Sequence, residues 1–157
     1  MTPARALLKR MAAALAGGTI GVAMVWWSLE RVTLVNAAEV QGQGNGSVPV
    51  TTYVTLFAGL CLVGFLDRYA ARTWARHLRD TPDTRQLPLW AGVLIAVIGV
   101  VSLIFSIATH SQWVNEQAPV PQDPNLGFVL FQTLCATLIL VPSVFVGARW
   151  VRVSDRD

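Results

Sequence analysis

Few side chains in this chain are of a type that could carry out chemistry. It holds two histidines, His77 and His110, and two cysteines, Cys61 and Cys135. No CxxC pair or other metal-ligand spacing joins them. Both cysteines lie inside apolar runs, where a free cysteine acts as a small buried hydrophobe. The sequence therefore predicts no metal site, no cofactor and no catalytic residue.

The strongest polar group inside an apolar run is Gln132, and Thr133 follows it. Ion-coupled transport, proton relay and voltage sensing need ionisable groups within the membrane. The long apolar runs of this chain contain no Asp, Glu, Lys, Arg or His. We therefore expect Gln132 to make a hydrogen bond between helices and expect the protein not to be an enzyme.

The elements that position these residues are four apolar runs. The chain is 54% hydrophobic and only 13% charged, with a mean hydropathy of +0.51, whereas soluble domains are about a quarter charged. Runs of about 20 residues are long enough to cross a bilayer as helices. The sequence predicts an all-α integral membrane protein, a single domain folded as an antiparallel four-helix transmembrane bundle. Its spans are residues 11–28, 48–66, 88–108 and 126–148.

The positive charges predict the orientation of these spans. Of the twelve Lys and Arg residues, Arg31 alone lies in an outer loop, either 29–47 or 109–125. The others lie before the first span, in the hinge at 67–87, or in the tail. Basic loops face the cytoplasm, so both termini are expected there. Because the basic residues flank apolar spans, we expect no nucleic-acid partner, and the Arg-rich, Lys-poor composition suggests a bacterial plasma membrane.

Two stripes of small residues and one basic face are the candidate contact surfaces. Small residues at helical spacing let helices approach closely in lipid. The α1 seam consists of Ala13, Gly17 and Gly21, and the α3 seam of Gly92, Ala96, Gly99, Ser102 and Ser106. If the hinge is helical, Arg68, Arg72, Arg76 and Arg79 lie within about 80° of arc. That face suits contact with anionic lipid headgroups at the membrane surface.

These patterns lead to three hypotheses about function. The first is a non-catalytic accessory subunit of a larger inner-membrane complex, respiratory or transport, which docks on other membrane subunits through one of the seams. The alternative is a homo-oligomeric pore or permease for small solutes with Gln132 in its path. The third is a protein that binds anionic membrane lipids through the face from Arg68 to Arg79.

Overall fold

The structure, a computed structural model, describes residues 3–80 and 88–154. It consists of four α-helices: α1 (Pro3–Val40), α2 (Val50–Asp80), α3 (Leu89–Glu116) and α4 (Leu126–Ser154). All four are long and apolar enough to cross a membrane. No strand occurs in the described ranges. The prediction of an all-α chain with four helices that could span a membrane is confirmed.

The helices extend well beyond the predicted spans, and this corrects the predicted loops. α1 continues to Val40 instead of ending at 28, and α3 continues to Glu116 instead of 108. Both extensions are polar, so a hydropathy window excludes them. They also lack Gly and Pro, so nothing in them ends a helix. Residues 29–40 and 109–116 are therefore helical, not loop.

α1 ends in a Schellman motif. The N–H of Gln43 donates to the carbonyl of Ala38, and the N–H of Gly42 donates to that of Glu39. Gly42 has a φ of +68°, a conformation that glycine adopts without steric cost. The first glycine after Gly21 thus fixes where the long helix stops.

The hinge is helical as far as Asp80, and it continues α2 directly. Ala70, Ala75 and Leu78 are buried. The Trp74 ring meets Phe145 of α4 edge-on, with centroids 5.3 Å apart. The segment therefore packs against its own bundle on one side. The other side exposes the four predicted headgroup contacts, Arg68, Arg72, Arg76 and Arg79. The rest of the hinge, 81–87, lies outside the described residues.

α1, α2 and α4 pack against one another, and α3 packs mainly against α4. α3 touches α1 only slightly, and in the described part of the chain it does not contact α2. At one end, which we call the basic end, Ala14, Ala70 and Val144 form a buried cluster. At the other, the capped end, Leu34 of α1 packs with Val114 and with Val120 of the following loop.

Both seams are used between helices of this chain. A Cβ added at Gly21 would lie 3.0 Å from the carbonyl oxygen of Gly59, so α1 and α2 approach backbone to backbone. A Cβ at Gly99 would lie 2.9 Å from the carbonyl oxygen of Cys135 in α4. Gly17 abuts Leu66, whereas Ala13 is exposed. The seams were expected to offer a surface for a partner, but their glycines Gly21 and Gly99 already contact α2 and α4 of the same chain.

The close approach of α1 and α2 gives a matched test on one helix. A Cβ at Gly59 would lie 2.7 Å from the Gly21 carbonyl oxygen, whereas a Cβ at Gly64 meets nothing within 4 Å. We expect Gly59→Ala to lower the free energy of unfolding by roughly 1–3 kcal/mol, because the helices must separate. Gly64→Ala should leave it unchanged or raise it by up to about 1 kcal/mol through helix propensity. Unfolding of the detergent-solubilised variants measures both, and equal effects would contradict the packing.

Candidate functional site at the capped end

Two ionisable side chains lie buried between helices at the capped end. Glu30 of α1 is 3% exposed and His110 of α3 is 5% exposed. Both positions fall in the predicted outer loops, 29–47 and 109–125, whereas the structure places them in α1 and α3. The predicted spans end at 28 and 108, one turn or less before these residues.

The two side chains contact each other. Nε2 of His110 lies 2.9 Å from Oε2 of Glu30. The two atoms are not aligned as a hydrogen bond, so the contact is electrostatic. Its strength depends on where the proton of the imidazole resides.

The start of α4 holds the other oxygen of the carboxylate. Oε1 of Glu30 accepts a hydrogen bond of 2.9 Å from the backbone N–H of Asn125. Asn125 itself caps α4, since its Oδ1 accepts from the N–H of Gly127 at 2.9 Å and an Asn at this position satisfies otherwise unpaired helix donors. A carboxylate at a helix N-terminus is also favoured by the helix dipole. Glu30 therefore joins α1, α3 and α4.

Aromatic rings cover the imidazole. The ring of Phe128 in α4 lies 4.1 Å from that of His110, centroid to centroid. Trp113, one turn further along α3, stacks on His110 at 5.6 Å. These rings hold the imidazole orientation and exclude water from that side.

A cleft of about 350 Å³ opens beside the pair, between α1 and α3. Its polar lining includes Glu30, His110 and Gln132, the last from α4. Its apolar lining consists of Trp26, Leu29, Val32 and Ile107. An apolar cleft with a few convergent polar groups is the usual form of a small-molecule site. A second cleft of about 280 Å³ lies between α3 and the start of α4 and includes Ser106 and Phe128.

Several buried polar atoms at this site lack a hydrogen-bond partner. They are Oε2 of Glu30, Nδ1 and Nε2 of His110, and Oγ of Ser106, which is 2% exposed. Ser106 precedes His110 by one helical turn, so both lie on one face of α3. Buried polar groups in native proteins are usually satisfied. Two of these atoms, Oε2 and Nε2, contact each other at 2.9 Å, so the atoms left without any short polar contact among the described residues are Nδ1 of His110 and Oγ of Ser106.

The other residues singled out in the sequence divide between the two ends. Gln132 is 4% exposed and lines the cleft. The hydroxyl of Thr133 donates to the Val129 carbonyl at 2.7 Å and so is satisfied within α4. His77 lies in the part of α2 that forms the basic end, with its ring centroid 5.3 Å from that of Trp74, and so shares no site with His110.

Among residues 3–80 and 88–154, no three His, Cys, Asp or Glu side chains could hold a metal ion together.

One sequence signal could have identified His110. The α3 seam runs through Gly99, Ser102 and Ser106 with spacings of three and four, and His110 continues it at four. That spacing places the imidazole on the face that α3 buries. Glu30 carries no comparable signal, because only the continuation of α1 to Val40 places it inside.

No known protein family, curated protein or solved structure matches the chain. Fold and site together define an all-α protein whose four apolar helices fit a membrane protein, with a buried carboxylate and imidazole at one end.

A double-mutant cycle tests whether the two side chains are coupled. Removing one member of the buried contact between the carboxylate and the imidazole leaves the other without its partner, so Glu30→Gln and His110→Leu should each lower the free energy of unfolding by roughly 3 kcal/mol. The double variant should lose less than the sum, with a coupling of about 1–3 kcal/mol. Glu116→Gln, at the exposed end of α3, is the control and should change stability by less than about 0.5 kcal/mol. Strictly additive losses would show that the pair does not interact.

Proposed function

We propose that the protein is a non-enzymatic integral membrane protein that binds a small solute in the cleft beside Glu30 and His110. The buried pair is the observation that carries this proposal. Desolvating a carboxylate and an imidazole costs free energy, and ionisable groups at membrane depth usually belong to a site. The proposal extends the permease hypothesis, because Gln132 lies in the same cleft.

Two polar layers support a membrane placement for the helices. One is formed by Glu30, His110 and Asn125. The other is formed at the basic end, where Oγ of Ser143 donates to Oδ1 of Asp67 at 3.0 Å. From Asn125 to Ser143 along α4, 18 residues at 1.5 Å each separate the layers by about 27 Å, close to the roughly 30 Å of the hydrocarbon core. In this placement the chain is an antiparallel four-span bundle.

The basic end then faces the cytoplasm, with both termini, and the capped end faces outward. The exposed arginines from Arg68 to Arg79 support this orientation, since basic segments remain on the cytoplasmic side. A bacterial plasma membrane is the host membrane we propose. In this placement the cleft lies at the level where the outer leaflet meets its headgroups.

A second candidate is the accessory subunit of a larger membrane complex. It is favoured by the wide apolar face of α3, where side chains such as Val97, Val101 and Ile104 are exposed. A partner subunit would dock there and not on the seams, whose glycines already contact α2 and α4. A third candidate, contact with anionic lipid, rests on the exposed arginines beyond Asp67, each worth about 1 kcal/mol near an anionic surface.

One purification from the native membrane in mild detergent separates these candidates. Mass spectrometry would identify the chains, lipids and small molecules that remain with the protein. We expect one kind of chain and a small molecule at near-stoichiometric yield, which Glu30→Gln loses and Glu116→Gln retains. Unrelated chains at a fixed ratio, with no small molecule, would overturn the proposal in favour of an accessory subunit.

The same spectra test the lipid hypothesis. If the arginine face holds anionic lipid, the triple replacement Arg72→Gln, Arg76→Gln and Arg79→Gln should lose that lipid from the purified protein. Unchanged lipid retention would remove this candidate.

A further inference from the structure

We propose that the cleft beside Glu30 and His110 is a binding site for a lipophilic organic cation. The inference rests on the proposed function and specifies the chemical class of its ligand. It is carried by the charge of the cleft, by its apolar lining and by a buried ring nitrogen of His110 that has no partner among the described residues.

Among the residues that the structure describes, no permanent cation lies beside the carboxylate of Glu30. Its described polar contacts are the Asn125 N–H and the His110 imidazole, and no Lys or Arg lines the cleft. Arg31, the next residue in α1, extends instead over the ring of Trp27, with its Cζ 5.5 Å from the centroid. Whenever the imidazole is neutral, the site therefore carries a net negative charge in a poorly solvated position, where an organic cation would restore neutrality.

The lining selects for an apolar body on that cation. Trp26, Leu29, Val32 and Ile107 form the apolar wall, and the side chains of Leu29 and Ile107 are exposed at the side of the bundle. In the membrane placement proposed above, a ligand would enter from the lipid phase. Trp26 adds an aromatic face, which attracts cations more strongly than an aliphatic wall does.

One polar atom of the pair has no partner among the described residues. It is Nδ1 of His110, a side chain more than nine-tenths buried, whereas Nε2 contacts Oε2 of Glu30 at 2.9 Å. A metal ion would need three or more protein ligands in a structural site, and the described residues offer no such group. An anion would be repelled by the carboxylate. A large organic cation binds through its charge and needs no fixed coordination geometry. It therefore fits the cleft better than a metal ion or an anion does.

The test uses radiolabelled tetraphenylphosphonium, a permanent apolar cation that cannot be deprotonated. Equilibrium dialysis against the purified full-length protein in detergent should show saturable binding. Glu30→Gln should weaken binding at least about tenfold, which corresponds to 1.4 kcal/mol. Glu116→Gln should remain within about twofold of the wild type. Triphenylphosphine oxide, a neutral molecule of similar shape, should not compete.

Circular dichroism and gel filtration would establish that Glu30→Gln is folded. If that variant does not fold, Gln132→Leu, which adds no charge and narrows the cleft, should still weaken binding several-fold. Saturable binding that Glu30→Gln retains, or no binding to the wild type, would overturn the inference. If purification then shows a neutral or anionic molecule bound in a Glu30-dependent manner, the proposed function stands and only the ligand class is wrong. If neither binds, both fail.

Discussion

The contact between Glu30 and His110 joins α3 to α1 at the capped end, whereas α3 otherwise packs mainly against α4. Among the described helix residues it is the polar contact that joins α1 to α3. Towards the basic end, α3 packs against α4, through Gly99 and the backbone of Cys135. Removing an ionic pair from water is costly, and such pairs often add little net stability. Here the Asn125 N–H and the dipole of α4 offset part of that cost.

A buried apolar cluster lies at each end of the bundle. At the capped end, Leu34 of α1 packs against Val114 and Val120, and this cluster covers the site. At the other end Ala14, Ala70 and Val144 pack closely, and the arginines lie outside them. In the middle of the bundle, the backbones of α1 and α2 approach each other closely at Gly21 and Gly59. In lipid, where the hydrophobic effect gives no help between helices, close approach and polar contacts must stabilise the association.

Much of the architecture could be predicted from the sequence, because four charge-free apolar runs leave few alternatives. The hinge, whose helicity the sequence left as a condition, is helical as far as Asp80, and the arginines there are exposed. The complete site could not be predicted, because hydropathy reports which residues prefer lipid and not where a helix ends. Glu30 and His110 each follow an apolar run closely and were therefore placed in loops. The spacing of the α3 seam places His110 on a buried face, but the burial of Glu30 and its contact with Asn125 depend on tertiary structure that no local pattern encodes.

Residues of both seams contact helices of this chain, and the use of a seam by a partner protein stays a prediction. The α1 and α3 seams show that close helix approach occurs, but a spacing pattern does not identify the helix that approaches. Here α2 and α4 supply it, through Gly59 and the backbone of Cys135. The large exposed surface of α3 became evident only once all four helices were placed.

α1 and α3 continue as helices past the apolar runs and enclose the ionisable pair. Cysteine cross-linking in native membranes checks this arrangement, with Leu34→Cys and Val114→Cys in a chain whose Cys61 and Cys135 are replaced by serine. We expect rapid cross-linking within one chain under mild oxidation, and none when Ile98→Cys replaces Val114→Cys as the partner. Failure of the first pair to cross-link, or equal cross-linking of both pairs, would show that the arrangement is wrong.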